Sequence, residues 1–345
     1  GYGALRSAGR VRRATMSELA LSVVVPAWDA LPYTQRCVEA SRAHRDVPYE
    51  LVLVDNGSAA DAARYAAAAG DVTILNDTNL GFAVGMNQGL RAAHGEFVAF
   101  VNNDTVVPAN WASTLLALFD VHPSAGIVIP VVTAAGNEFS VRDRVGEGWL
   151  VVEPFTAIPS AVVYVVRRSV MLEMGGWSET YPVASSEDLD LLFTVWSNGL
   201  DVLLDERVLV EHESAVSANR LPDHGPRWRA NREIFVNKWS SATAEAVPRL
   251  TVCPEETHAA NLAKARVAAV WMARWFAAKD ELASAARVPA RQEDGETGTP
   301  RRSPGLRTLA ALWSGARRFV PRKVREWLYP RVRGLYHRTF PHGRR

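Results

Sequence analysis

The chain is 345 residues long, 48% hydrophobic and 22% charged, which suits one large core or a domain of roughly 200 residues with appendages and excludes a disordered chain or a stapled miniprotein. Its 39 Lys/Arg and 37 Asp/Glu give a net charge of +2 that hides a segregation: residues 288–345 hold 14 basic against 4 acidic side chains, a local +10 that leaves −8 for residues 1–287. With only Cys37 and Cys253, a multi-disulfide framework and a four-cysteine zinc site are excluded, and a reducing compartment, the cytosol by default, is expected.

Gly1 to Ser17 holds Arg6, Arg10, Arg12 and Arg13 without the apolar stretch of a secretory signal. With Met16 inside it, residues 1–18 read as a flexible N-terminal extension. Leu21 to Val25 is a β-branched run stopped by Pro26, and Thr34 to Arg42 reads as a helix. Leu51 to Val54 repeats the strand signal; the turn Asp55, Asn56, Gly57, Ser58 and an Ala-rich helix from Ala59 to Ala69 come next. Val72 to Leu75 is a third strand, Ala83 to Ala93 a helix, and Phe97 to Val101 a fourth strand ending in Asn102, Asn103 and Asp104. Strands alternating with helices predict an α/β fold, a three-layer α/β/α sandwich on a mostly parallel central sheet. In such sheets ligands bind beyond the carboxyl ends of the strands, where Asp55 and Asp104 fall. No G-x-G-x-x-G follows the first strand and no G-x-x-x-x-G-K-[ST] occurs, which gives no local support to dinucleotide dehydrogenases or P-loop kinases.

After Pro130 the pattern loosens until Ala161 to Val166, a strand, and Arg168 to Met174, a short helix closed by Gly175 and Gly176. Ser185, Ser186, Glu187 and Asp188 open a helix that runs to about Asn198 and stops at Gly199; Val208 to Val210 is a last strand ending at Glu211 and His212. Arg227 to Lys238 reads as helical. Thr257 to Ala286 is a longer helix whose Val267, Trp271 and Trp275 recur at i, i+4, i+8 and predict an apolar face against the core or a partner subunit. The expected units are therefore a catalytic domain over 19–240, a helical extension over 241–287, a Pro/Gly-containing linker over 288–305 and a basic amphipathic tail over 306–345. The tail interleaves Leu309, Leu312, Trp313, Val320, Val324, Trp327 and Leu328 with Arg317, Arg318, Arg322, Lys323 and Arg325. That composition suits a peripheral helix on an anionic membrane surface; an oligomerisation helix is the main rival and nucleic-acid binding the weaker one. No apolar run reaches the length that spans a bilayer.

Seven segments in order, Ser22 to Trp28 (SVVVPAW), Val52 to Ser58 (VLVDNGS), Asn79 to Asn87 (NLGFAVGMN), Phe100 to Thr105 (FVNNDT), Gly175 to Glu179 (GGWSE), Ser186 to Asp190 (SEDLD) and His212, resemble a family 2 glycosyltransferase of GT-A fold. Their order and spacing are similar to the rhamnosyltransferase-like branch. The resemblance implies an inverting enzyme that moves a sugar from a nucleoside-diphosphate donor to the hydroxyl of a glycan, lipid-linked glycan or small molecule.

It also implies site roles. Pro26, Ala27, Trp28, Asp55, Asn56, Asn79, Gly81, Asn87, Asn102, Asn103 and Asp104 would meet the nucleotide sugar, with Asp55 accepting from the nucleobase. Asp104 and His212 would hold a divalent cation, Mn²⁺ or Mg²⁺, which suits an oxygen-rich set better than zinc. Asn102 stands where the family's motif has its first carboxylate, so the site has one charge fewer. Asp188 would be the general base with Glu187 beside it, while Gly176, Trp177 and Glu187 would line the acceptor subsite. Each residue has a plainer reading. Asn-Asn-Asp and Asp-Asn-Gly-Ser favour turns, His212 sits between Glu211 and Glu213 at a strand end, Trp177 suits a core, and Ser185 with Asp188 resembles a capping box. Two further functions stay open, a catalytically silent GT-A-like scaffold subunit and a nucleotidyltransferase.

Overall fold

A computed structural model describes residues 19–134, 148–152, 162–182, 185–213 and 224–286. The N-terminal extension, the linker and the basic tail lie outside the described residues. In chain order the elements are β1 (Leu21–Ala27), α1 (Leu31–Ala43), β2 (Tyr49–Asn56), α2 (Ala60–Ala69), β3 (Val72–Asn76), α3 (Phe82–Ala92), β4 (Phe97–Val101), β5 (Thr105–Val106), α4 (Trp111–Val121), β6 (Ala125–Ala134), β7 (Trp149–Val151), β8 (Val163–Arg167), α5 (Arg168–Glu173), α6 (Glu187–Ser197), β9 (Asp201–His212), α7 (His224–Ser240) and α8 (Glu255–Ala286).

The strands form one sheet in the order β3-β2-β1-β4-β8-β6-β9-β5, with β7 also on β9. The half built from βαβ units, β3-β2-β1-β4, is parallel throughout. Beyond it β8 runs antiparallel to both β4 and β6, and β5 and β7 run antiparallel to β9. β6 and β9 pair parallel, but the antiparallel β8 lies between β4 and β6, so the sheet is mixed where a mostly parallel one was expected. Along β1 the side chains of Leu21, Val23 and Val25 enter one core and Val24 the other, the period of two that a doubly covered sheet requires. Cys37 and Val38 of α1, Ala66 of α2 and Trp111 and Leu115 of α4 cover the first face; Met86 of α3, Met171 of α5 and Leu192 of α6 cover the second.

β1 runs through Pro26, read as a stop, and β6 runs through Pro130. The ladder of β1 to β4 ends at Val24, so Pro26 lies past its end and its missing N–H breaks no bond there. Pro130 sits at a register shift of β6 against β9. α4, β5 and β7 are additional to the expected elements, and β9 begins at Asp201, ahead of the expected Val208. The long helix α8 packs on α6 and α7 through Leu262, Ala265, Ala269 and Met272, so it covers the core as one of its expected alternatives had it. Its buried face differs from the expected stripe: Val267 is 64% exposed and Trp271 only borders the cluster.

Candidate active site

The carboxyl ends of β1 and β2 open into two loops laced together by hydrogen bonds. Asp29 Oδ1 accepts from the Ala59 N–H at 2.8 Å, the Asp29 N–H donates to Ser58 Oγ at 2.7 Å, and the Ser58 N–H donates to Asp55 Oδ2 at 3.2 Å. Pro26 and Trp28 are half-buried and Ala27 is buried at this edge. Asp55 is buried, and its second oxygen, Oδ1, has no hydrogen-bond partner. One lone carboxylate oxygen left over from an otherwise satisfied turn suits an acceptor for a ligand N–H.

Three asparagines expected at the donor are spent inside the fold. Asn56 donates from Nδ2 to Asn79 Oδ1 and to the Gly81 carbonyl, both at 3.0 Å, and accepts at Oδ1 from Asn76 Nδ2 and the Leu80 N–H, both at 3.1 Å. Its amide is saturated, so Asn56 shapes the exposed Asn79 loop and the Gly81 turn before α3 and offers nothing to a ligand. Asn87 clamps the loop after α5: Oδ1 accepts from the Trp177 N–H at 2.8 Å while Nδ2 reaches the Trp177 carbonyl at 2.9 Å and Glu179 Oε1 at 2.8 Å. Gly176, at φ +78°, is required there, because a Cβ would collide with Asn87 Oδ1. Asn103 is buried and donates to Thr34 Oγ1 on α1 at 3.0 Å.

Asp104 is placed differently. β5 starts at Thr105 and pairs with His212, and this antiparallel register brings Asp104 Oδ1 to 3.1 Å from His212 Nε2, with 8% and 9% of the side chains exposed. Asn102 forms the turn before it, its carbonyl accepting from the Thr105 N–H at 3.1 Å. Among the described residues no group of three or more His, Cys, Asp and Glu side chains could hold a metal ion. The carboxylate of Asp104 and the imidazole of His212 are the two groups here that would hold a divalent cation, which would supply positive charge. Cys37 lies under this turn, donating to the Asn102 carbonyl at 3.5 Å; burial, and then the Asp104 charge, push its thiol up to about 12, so it is no thiolate ligand.

The acidic pair opens α6. Burial, and then the neighbouring Asp188 charge, push Glu187 up to about 8, and burial raises Asp188 as well. Glu187 is buried with Oε2 unpartnered. The capping box does not form: Ser185 and Ser186 take φ +92° and +74°, and Ser186 makes no side-chain cap. Non-glycine residues in this region cost of order 1–3 kcal/mol each. Trp177 is not at the acceptor edge; it is 1% exposed, enclosed edge-on by Phe82, Phe100 and Tyr164 at 5.4, 5.2 and 5.4 Å. Its indole face therefore cannot meet a sugar in this conformation.

Several residues of the site gave no motif signal. Tyr164, opposite Phe100 on β8, has a buried hydroxyl without a partner, and its pKa is raised by burial and by the Asp188 and Glu187 charges. The signal was a lone tyrosine in the aliphatic run Val162 to Val166. Asp190, one turn into α6, accepts from Tyr181 Oη at 2.8 Å, Trp239 Nε1 at 2.7 Å and Lys238 Nζ at 2.8 Å. These partners come from α7 and from the loop ahead of α6, which no local pattern connects to it.

Residues 22–170 match the family model described as Glycosyl transferase family 2; the matched segment holds Asp55 and Asp104 and ends before the acidic pair and His212. Over 208 residues the chain is 28% identical to the pre-mycofactocin glycosyltransferase of Mycobacterium tuberculosis, covering 56% of this chain and 42% of that protein. Over 175 residues it is 27% identical to the glucosyl-dolichyl phosphate glucuronosyltransferase of Haloferax volcanii, covering 46% and 55%. The chain thus spans about half the length of these curated relatives or less. In fold it is similar to S. aureus TarS 1–349, with a TM-score of 0.56 at 15% identity over 79% of this chain and 76% of that one. The structure of GalNAc-T7 with UDP, GalNAc and Mn²⁺ gives a TM-score of 0.50 at 14% identity over 65% and 51%.

Proposed function

Because residues 22–170 belong to glycosyl transferase family 2, we propose that the chain moves a sugar from a nucleoside-diphosphate donor to an acceptor hydroxyl with inversion at the anomeric carbon. The observation that supports this most is the meeting of Asp104 and His212 at the sheet edge that also presents Asp55. Asp55 Oδ1 accepts from the nucleobase, and the loops after β1 and β3 hold the ribose. A divalent cation, Mn²⁺ or Mg²⁺, held by Asp104 and His212 would supply positive charge against the leaving diphosphate. The acceptor oxygen attacks the anomeric carbon opposite the diphosphate, and Asp188 takes its proton as that C–O bond forms and the bond to the β-phosphate oxygen breaks. Glu187, held largely protonated at neutral pH by burial, orients the acceptor as a hydrogen-bond donor. The sugar is a hexose or deoxyhexose, and residues 306–345 hold the enzyme at an anionic membrane surface.

The test is release of nucleoside diphosphate from a panel of UDP-, GDP- and dTDP-sugars with Mn²⁺, on the full chain and on Asp188→Asn. The variant is expected to lose transfer while binding donor within a few fold. Normal turnover in it would remove Asp188 as base. A donor at 100 times its dissociation constant adds about 2.7 kcal/mol of stability, so a thermal shift reports binding independently. Binding without turnover would favour a second reading, a silent nucleotide-sugar-binding subunit, which Asn102 in place of a carboxylate supports.

A further inference from the structure

We infer that Asn231, in the middle of α7, is a positioning residue for the acidic pair: it holds the two left-handed serines ahead of α6 in the conformation that aims Glu187 and Asp188. This rests on the glycosyl-transfer reading of that pair.

Ser185 and Ser186 occupy a backbone region that serine avoids, and such a conformation persists only where the surroundings over-determine it. The N-cap side chain does not do so, since Ser186 makes no capping bond. The turn is held from α7. Asn231 is 1% exposed, and its Nδ2 donates to the Pro182 carbonyl at 3.2 Å and to the Ser185 carbonyl at 3.1 Å, spending both amide hydrogens on the turn that leads into α6. Four, seven and eight residues further on, Phe235, Lys238 and Trp239 lie on the same face of α7. Phe235 and Trp239 pack on Phe193 of α6 at 4.9 and 5.1 Å, and Lys238 and Trp239 bind Asp190. α7 therefore grips α6 before and after the acidic pair, and Asn231 is the grip on the strained side.

The conformation has a use. Asp188 Oδ1 accepts from the Leu189 N–H at the start of α6 at 2.8 Å, a bond that favours the charged form and opposes burial, which favours the neutral one. The titratable groups facing the pair are Tyr164 from β8, Tyr181 ahead of α6 and Asp190 within it, the last neutralised by Lys238 of α7. None of them bonds the turn.

The experiment compares the full chain with Asn231→Leu, which keeps volume and removes the donors, and with Asn231→Leu combined with Ser185→Gly and Ser186→Gly. Asn231→Leu is expected to lose at least tenfold in kcat with donor KM within threefold, and the acidic limb of kcat should move to higher pH as Asp188 loses its alignment with the Leu189 N–H. Glycines, which take positive φ freely, should restore at least threefold. An unmoved pH profile together with no glycine rescue would overturn the positioning role. Amide exchange at residues 185–189, faster in Asn231→Ala than in the full chain, reads the clamp without any turnover, and unchanged exchange would also overturn it. If the full chain turns over no donor, the transfer reading fails while the exchange result still judges the clamp.

Discussion

Glu187 sits inside the protein with one carboxylate oxygen unpartnered, and burial next to Asp188 lifts its pKa from the ordinary 4.5 to about 8. It therefore binds its proton more tightly in the folded chain than in the unfolded one. The stability this contributes is complete below about pH 4.5, the unfolded value, and is lost as the pH climbs through about 8. A tenfold change in proton affinity is about 1.4 kcal/mol, so the whole loss is capped near ~5 kcal/mol, and the shared titration with Asp188 leaves a few kcal/mol for Glu187 itself. Glu187→Gln removes the titration and keeps the shape. Its NH₂ takes the place of the unpartnered oxygen. The variant should match the parent near pH 5 and exceed it by about 2–4 kcal/mol at pH 9. Urea unfolding followed by tryptophan fluorescence at both pH values measures this, with the slope checked for constancy. Parallel stability profiles for the two proteins from pH 5 to pH 9 would refute the reasoning.

Asp104→Ala and His212→Ala should each abolish the dependence of turnover on added Mn²⁺ while leaving donor-independent stability within about 1 kcal/mol, measured by metal titration of activity and by melting. Gly176→Ala should destabilise by about 2–4 kcal/mol, combining the left-handed cost with disturbed Asn87 hydrogen bonds to Trp177; a chemical-denaturation difference under 1 kcal/mol would contradict the clamp. Deleting residues 288–345 should release the protein from anionic vesicles in a flotation assay and leave neutral vesicles unaffected; unchanged flotation would remove the membrane role of the tail.

The parallel half of the sheet was legible because each βαβ unit writes its own strand, turn and helix in consecutive residues. β4 closes that half, and the strands after it depend on pairings between distant segments. β5 is two residues long and exists only because Thr105 and Val106 find His212 and Glu211. α4 was in principle readable, since Trp111, Leu115, Leu118 and Phe119 recur at helical spacing. The stripe assigned to α8 is not its packed face: Leu262, Ala265, Ala268, Ala269 and Met272 are buried instead, and Val267 is left in solvent.

The same distinction divides the site. Motif residues were readable as a set but not by role. Asn56, Asn87 and Asn103 sit within segments that resemble donor-binding motifs, yet Asn56 and Asn87 spend their amides on the Asn79 loop and the Trp177 loop, and Asn103 donates to Thr34 of α1. Asp55, Asp104, Glu187 and Asp188 keep oxygen atoms outside any saturated amide network, and charge is what a diphosphate and an acceptor proton require. The segregation of charge along the chain gains a meaning from this. A body carrying −8 attracts no anion as a whole, so a diphosphate must be met locally, at Asp104, His212 and the turns of the parallel half. The acidic helix sets the opposite problem, a buried Glu187 beside a half-buried Asp188, and its solution comes from α7, whose Asn231, Lys238 and Trp239 hold the helix from outside the segment that the family model covers.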